Sequence, residues 1–333
     1  MKRVAIWGSG FMGRTHARHA EAGGRARVVG VCGRSREAAE RMISEAGLAH
    51  AAAFGDFQRM LDEVRPEVLV AAVPPGVHAG EVEEAAARGI HLFLEKPVAR
   101  TVERAAAQVE AIERAGVVGQ VGYHFRFKDA VRRFAREEAG PGTLFQGRFW
   151  CRFDGPAWWR DGRMSGGQMA EQAIHLLDLA CHFLGEPVSV CGHLANLEHG
   201  GEADYSVEDT GVALIRFRSG ALATVSCSNA AVRGRFVGDF RLVFRDGVLD
   251  YESSGDGRVA DRARLQHQGR EEEWVEEGNP YRAEMEAFLD AVEQGRPSPV
   301  PARVGLETLR LALAVGESSR QGGRPVDLNG GGR

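Results

Sequence analysis

The segment Gly8–Gly13 reads Gly-Ser-Gly-Phe-Met-Gly and lies between an apolar strand, Val4–Trp7, and a helical stretch. In such a turn the first glycine permits a tight connection, the second lets a pyrophosphate approach, and the third lets the helix pack on the strand. Because 43 glycines make chance matches common, the placement of the turn carries the prediction of a dinucleotide site. The predicted cofactor contacts in the turn are Gly8, Ser9, Gly10, Phe11, Met12 and Gly13.

Apolar strands and helical stretches alternate through the first 120 residues, which predicts a parallel, doubly wound sheet. The predicted strands are Val4–Trp7, Val28–Cys32, Val68–Val73, His91–Leu94 and Val117–Val121. The predicted helices are Arg14–Ala22, Arg36–Ala46, Phe57–Val64, His78–Arg88 and Val102–Ala115. We therefore place a dinucleotide-binding α/β domain of the Rossmann type at residues 1–122.

The end of the second predicted strand indicates which nicotinamide cofactor is preferred. An acidic residue expected there would bind a free ribose 2′-hydroxyl, but the chain has Gly33, followed by Arg34, Ser35 and Arg36. Ser35 is the predicted N-cap of the next helix, and the two arginines can bind a 2′-phosphate. The sequence favours NADP over NAD, with NAD as the alternative if these arginines are ordinary surface residues.

After Val121 the alternation stops and strand-like stretches dominate, which predicts an α+β domain at residues 123–333 with a largely antiparallel sheet open on one face. The predicted strands are Phe145–Phe153, Val188–Leu194, Thr210–Phe217, Ala221–Cys227 and Phe240–Phe244. A glycine-rich loop opens a helix predicted over 165–182. Glu171, His175, Asp178 and His182 share one of its faces, so Glu171 can orient His175 as a proton-transfer group, although a solvated polar face is the alternative.

Lys96 is one of three lysines in a chain with 39 arginines, and it follows a buried strand. Only an amine, not a guanidinium, can release its proton near neutral pH, so a titrating role is predicted. Lys2 and Lys128 are interpreted as solvated.

Three motifs in order, Gly8–Gly13, Glu95-Lys96-Pro97 and the helix with Gly166-Gly167, Glu171 and His175, resemble the Gfo/Idh/MocA oxidoreductases. The resemblance implies a nicotinamide cofactor on the first domain, a substrate beside the open-faced sheet, and a homodimer or homotetramer formed through that sheet. It also implies that Lys96 and His175 are the catalytic pair. The family commonly has aspartate where this chain has Glu171.

Further site residues are assigned with this resemblance in view. Additional predicted cofactor contacts are Pro74, His78, Glu95 and Lys96. The predicted substrate contacts are Lys96, Tyr123, His124, Arg126, Trp158, Trp159, Gln168, Gln172 and His175. The two tryptophans can form an apolar wall for a sugar ring, with core packing as the alternative. The predicted reaction moves a hydride between nicotinamide and a secondary alcohol or carbonyl of a sugar, cyclitol or polyol. Alternatives are a non-sugar carbonyl or diol as substrate, or a non-catalytic NADP-dependent sensor.

Composition excludes other classes of function. A formal charge of −4 and a pI near 6.3 give no basic footprint for nucleic acid, so a small molecule is the expected partner. Five scattered cysteines without a C-x-x-C pair argue against both a disulfide framework and a zinc site, and no metal is predicted. The chain shows neither a leader pattern nor an apolar run of membrane length, so no membrane association is predicted and a cytoplasmic location is the expectation.

Overall fold

The computed structural model of the protein describes residues 1–135, 140–152, 155–255 and 259–328. The strands in these ranges are β1 (Lys2–Trp7), β2 (Ala26–Cys32), β3 (Ala52–Phe54), β4 (Val68–Ala71), β5 (His91–Leu94), β6 (Gly119–Val121), β7 (Gly142–Arg152), β8 (Pro187–Ala195), β9 (Thr210–Phe217), β10 (Leu222–Arg233), β11 (Phe236–Phe244), β12 (Gly247–Glu252), β13 (Arg262–His267), β14 (Arg270–Val275) and β15 (Val326–Asp327). The α-helices are α1 (Phe11–Ala22), α2 (Arg36–Ala46), α3 (Phe57–Val64), α4 (Glu81–Ala87), α5 (Val102–Ala115), α6 (Asp129–Phe134), α7 (Ala157–Arg160), α8 (Gln168–Glu171), α9 (Ile174–Leu184), α10 (Pro280–Gln294) and α11 (Ala302–Arg320).

The chain divides into two compact units. Residues 1–124 and 279–306 form the first unit, and residues 125–278 and 307–333 form the second. The domain boundary predicted at residue 122 lies two residues before His124, after which the chain passes from the first unit to the second. The prediction assigned all of the later chain to the second domain, whereas 279–306, with α10 and the start of α11, packs on the first unit.

The first unit contains a six-stranded sheet in the order β3-β2-β1-β4-β5-β6, with every pair parallel. The predicted α/β fold of this half is therefore confirmed. Some details were wrong. The short edge strand β3 was not predicted, and the helix predicted from His78 begins at Glu81, because a 3₁₀ turn at Pro75–Val77 and Gly80 with φ of 144° precede it.

Local capping fixes the helices of this unit. The Ser35 hydroxyl accepts a hydrogen bond from the Ala38 amide at 3.3 Å, which confirms Ser35 as the N-cap of α2. Asp56 and Thr101 cap α3 and α5 in the same way. The core lies between the sheet and α1, α2 and α10, and Phe288 of α10 packs edge-on against Phe93 of β5 with ring centroids 5.6 Å apart.

The second unit is built on a nine-stranded sheet in the order β14-β13-β12-β11-β7-β10-β9-β8-β15. The β7–β10 pair is parallel and the other pairs are antiparallel, so the predicted largely antiparallel α+β fold is confirmed. The five predicted strands correspond to β7–β11, and Phe153, the last residue of the first, lies outside the described residues. Strands β12–β15 were not predicted.

One face of this sheet is covered by α9 and the other exposes large apolar side chains. Leu176 and Leu177 of α9 are buried in the core of this unit together with Phe145 of β7. Along β9, Val212 and Leu214 are about half exposed and alternate with buried residues. The alternation predicted from the sequence is therefore present, with an apolar character on its solvent face.

The helix predicted over 165–182 is two helices. Helix α8 ends at Glu171 and α9 begins at Ile174, with Gln172 at φ −107° between them. This break interrupts the helical repeat, so Glu171 and His175 are not related by one turn of a continuous helix.

The interpretation of Lys128 as a solvated residue was wrong, because the residue is buried. Its side chain is 8% exposed, and its ammonium lies 4.6 Å from the ring centroid of Phe125 and 3.2 Å from Asp261. The Tyr251 hydroxyl also contacts it. Burial lowers the pKa of Lys128, and the Asp261 carboxylate opposes that change.

Within the part of the chain that the structure describes, no helix has both the length and the apolar character needed to cross a bilayer.

Candidate active site

The glycine turn has the geometry that a dinucleotide requires. Gly8 has φ of 120°, and a Cβ there would lie 2.1 Å from the Ala72 carbonyl oxygen. A Cβ on Gly13 would lie 1.9 Å from the Gly8 carbonyl oxygen, so α1 can pack on β1 only with glycine at this position. Around Gly10, the N-cap of α1, a Cβ would meet no described atom within 4 Å. These residues fit a pyrophosphate at the N-terminus of α1.

At the end of β2, neighbouring atoms lie close to the position that a side chain at Gly33 would occupy. A Cβ on Gly33 would lie 2.8 Å from the Ser9 hydroxyl and 3.1 Å from the Ala39 amide, so a side chain here would force the Ser9 hydroxyl or the adjacent backbone to shift. Arg34 is exposed, and Arg36 pairs with Glu40 at 3.0 Å. An exposed pair of this type contributes little, so Glu40 competes weakly with a phosphate for Arg36.

Lys96 is the second residue after β5, at the same sheet edge as the glycine turn that follows β1. The Glu95 carboxylate is buried, with Oε1 2.6 Å from His16 Nε2 and Oε2 accepting the Lys96 amide at 3.0 Å. A Cβ on Gly122 would lie only 3.2 Å from Glu95 Oε1, so glycine gives this carboxylate room. Glu95, predicted as a cofactor contact, thus holds the backbone that carries Lys96.

The other predicted cofactor contacts lie beside the end of β4. Pro74 precedes the 3₁₀ turn, and the His78 ring packs against Trp7 with centroids 5.2 Å apart. Gln108 bonds His78 Nδ1 at 3.0 Å. Burial lowers the pKa of His78 to about 4, so the imidazole is neutral near neutral pH.

Three functional candidates of the first unit were missed by the sequence reasoning: His16, Tyr281 and Glu284. The Tyr281 ring stacks on His124, a predicted substrate contact, with centroids 4.3 Å apart. Burial, and then the nearby Glu95 carboxylate, raise the pKa of Glu284 well above its ordinary value. The sequence pattern of α10 could have indicated Glu284. This residue lies on the apolar face of the helix, one turn before Phe288, where an apolar residue is expected.

In the second unit, His175 lies in the first turn of α9 and is buried, and Phe125 stacks on its ring with centroids 4.9 Å apart. Glu171 closes α8, and its Oε2 accepts a hydrogen bond from Trp159 Nε1 at 2.9 Å. The predicted contact between Glu171 and His175 stays a prediction.

The two predicted amide contacts, Gln168 and Gln172, are buried and bond one another at 3.3 Å. The Gln172 side-chain oxygen also lies 3.1 Å from the Cys151 thiol. Their amides therefore belong to an internal polar network, a role that their sequence positions did not indicate.

Arg126, another predicted substrate contact, forms a bidentate pair with Asp178, with both distances 2.7 Å. Asp178 is fully buried, so the pair gives it a structural role in this unit. Burial lowers the pKa of His182 to about 4, with Arg126 adding to the effect.

The remaining candidates differ in exposure. Tyr123 and Trp159 are fully buried in their units, whereas Trp158 is partly exposed. For Trp159 this favours the core-packing alternative. No cluster of three or more His, Cys, Asp or Glu side chains within the described ranges is placed to hold a metal ion.

The parallel sheet with its glycine turn defines the first unit as a dinucleotide-binding Rossmann domain. Residues 2–123 match the model of the oxidoreductase family with an NAD-binding Rossmann fold, and residues 127–250 match that of the GFO/IDH/MocA C-terminal domain. The chain belongs to the Gfo/Idh/MocA family and is an NAD(P)-dependent oxidoreductase.

The relatives described here are similar along most of their length. The scyllo-inositol 2-dehydrogenase (NAD(+)) of Bacillus subtilis is 26% identical, with 98% of this chain and 96% of the relative covered. The D-xylose 1-dehydrogenase (NADP(+)) 2 of Haloferax volcanii is also 26% identical, with 88% and 89% covered. A structure of levoglucosan dehydrogenase with NADH and L-sorbose superposes with a TM-score of 0.86 at 20% identity, covering 98% of each chain. At that identity the structural likeness shows the fold alone.

Proposed function

We propose that the protein is a dehydrogenase of a sugar, cyclitol or related polyol, and that it prefers NADP. The observation that carries the proposal is the position of Lys96 after β5, at the same edge of the parallel sheet as the glycine turn. Relatives named as inositol, xylose and glucoside dehydrogenases support the substrate class. The exposed Arg34 and the absence of an acidic side chain at Gly33 support NADP.

The chemistry divides between the cofactor and the side chains of the chain. Bound nicotinamide supplies the acceptor or donor of a hydride. Lys96 and His175 share the transfer of the hydroxyl proton, because a base must lie within hydrogen-bond reach of the alcohol oxygen as hydride leaves the carbon. Glu95 holds the backbone at Lys96, and Glu171 assists His175.

Replacing either member of the pair tests the proposal. Lys96→Met and His175→Ala should each lower kcat by about two to four orders of magnitude and leave NADP binding within a few-fold. Glu171→Gln should have an intermediate effect, because it removes the charge but keeps a hydrogen-bonding side chain. Lys96→Arg preserves the charge and cannot titrate, so it should be as impaired as Lys96→Met.

Two results would contradict the proposal. Near wild-type turnover in Lys96→Arg would exclude proton transfer by Lys96. Tight NADP binding without turnover of any polyol in a panel of inositols, pentoses and glucosides would favour the sensor alternative.

A further inference from the structure

The indole N–H of Trp159 donates a hydrogen bond to the carboxylate of Glu171. Its Nε1 lies 2.9 Å from Glu171 Oε2, and the ring is 1% exposed. A buried indole N–H is stabilised by an acceptor, and here the acceptor is a carboxylate, which gives a charge-assisted bond. The indole therefore restricts the orientation of the Glu171 side chain at the end of α8.

The Trp159 ring is itself fixed by its surroundings. It forms a small apolar cluster with Tyr205 and Val207, and the Tyr205 ring meets it edge-on with centroids 6.1 Å apart. The Tyr205 hydroxyl accepts a bond from Asn229 at 2.9 Å, and His199 stacks on its ring at 4.4 Å. The direction of the indole N–H is thus set by residues outside the predicted catalytic set.

The same segment, Tyr205–Asp209, also supports the beginning of α8. Glu208 accepts the backbone N–H of Met169 at 2.9 Å. A Cβ on Gly167 would lie 2.1 Å from Glu208 Oε2, so glycine is required for this carboxylate to reach the helix. Glu208 contacts the start of α8, and Trp159 contacts its last residue.

We propose that Trp159 is a positioning residue that orients the Glu171 carboxylate through its indole N–H, with the segment Tyr205–Asp209 as its support. The inference rests on the proposed function, in which Glu171 assists His175. Glu171 has three rotatable side-chain bonds, and fixing one oxygen removes most of the orientations in which the carboxylate would be ineffective. The contact also accounts for glutamate here, because aspartate, shorter by about 1.5 Å, would leave this N–H out of reach.

The kinetic test compares two chemically identical substitutions. Trp159→Phe removes the indole N–H and keeps an aromatic ring, and Trp274→Phe is the matched control, because the buried Trp274 Nε1 has no hydrogen-bond partner within the described residues. Trp159→Phe should lower kcat about tenfold with KM and NADP binding within about threefold. Trp274→Phe should leave all three within about twofold.

A double-mutant cycle separates orientation from general packing. If Trp159 acts through Glu171, Trp159→Phe combined with Glu171→Ala should be no slower than Glu171→Ala alone, because no side chain is left for the indole to orient. A packing role would instead multiply the two effects, and that outcome would overturn the proposal.

A spectroscopic measurement is independent of turnover. The chain has five tryptophans, so five indole N–H signals are expected in a ¹H–¹⁵N spectrum, and Trp159→Phe assigns one by its loss. Glu171→Ala should shift the Trp159 signal and speed its hydrogen exchange while the Trp274 signal stays in place. If no polyol is turned over, the proposed function fails, but the Trp159 signal still shows whether the indole N–H contacts Glu171. A Trp159 signal that ignores Glu171→Ala overturns the inference.

Discussion

Replacing Glu284 by glutamine should stabilise the protein by an amount that increases with pH. Glu284 is fully buried in α10, and neither carboxyl oxygen has a hydrogen-bond partner within the described residues. Burial and the Glu95 carboxylate both oppose a charge there and raise its pKa. The Glu95 carboxylate pairs in turn with His16, whose ring meets that of Tyr281 edge-on.

The direction in which the free energy of unfolding changes with pH follows from the number of protons that the native and unfolded states bind. In the unfolded chain the carboxyl group titrates near a pH of about 4.3, whereas native Glu284 keeps its proton to higher pH. Between these two values the native state binds more protons, so the free energy of unfolding falls as pH rises. The loss is up to about 1.4 kcal/mol for each pH unit of that interval. Glutamine resembles the protonated acid and has no proton to lose, so its variant escapes this penalty.

Urea unfolding of both proteins at pH values from about 4 to about 9 measures the effect. The two stabilities should nearly coincide at the acidic end and separate progressively above it. Glu286→Gln on the same helix is the control, because Glu286 is 44% exposed and pairs with Arg282. Its difference from wild type should not grow through neutral and alkaline pH. A Glu284→Gln difference that is flat across the range would refute a buried neutral acid.

Two further predictions concern the cofactor and assembly. NADP should bind more tightly than NAD in fluorescence titrations, and Arg34→Ala should weaken NADP binding about tenfold by removing one charge-assisted contact; equal affinities, or an unchanged NADP constant, would contradict this. Light scattering should give at least twice the 36.1 kDa of one chain, because the exposed Val212 and Leu214 lie on a strand face that a second copy can cover. Leu214→Arg should shift the protein toward the monomer, and a wild-type monomer at micromolar concentration would refute association through this sheet.

Local patterns in the sequence were sufficient for much of the fold. The glycine turn and the alternation that follows it depend on neighbouring residues, and both could be recognised without tertiary information. The burial of Lys128 could not, because its partners Tyr251 and Asp261 lie more than 120 residues away and nearby charges suggested solvent. Glu284 was missed for the same reason: only the packing of α10 on the first unit makes it a buried acid.

Features of the candidate site that depend on tertiary contacts could not be predicted from the sequence either. Composition identified Lys96, and helical spacing indicated the pairing of Glu171 with His175, but the spacing assumed one continuous helix. Helix α8 ends at Glu171 instead, and its residues contact Trp159 and Glu208, of which Glu208 lies about 40 residues further along the chain. Gln168 and Gln172 were predicted as polar partners for substrate hydroxyls, and their positions in the sequence did not reveal that both side chains are buried.

The return of residues 279–306 to the first unit determines the order in which the protein can fold during synthesis. The first 124 residues leave the ribosome early, but Phe93 and its neighbours lack the cover of Phe288 until nearly the whole chain has emerged. Residues 125–278 of the inserted second unit are translated before that cover arrives, although its last segment also comes late. A nascent chain halted before residue 280 should therefore expose apolar surface of an unfinished nucleotide-binding domain and depend on chaperones during that interval.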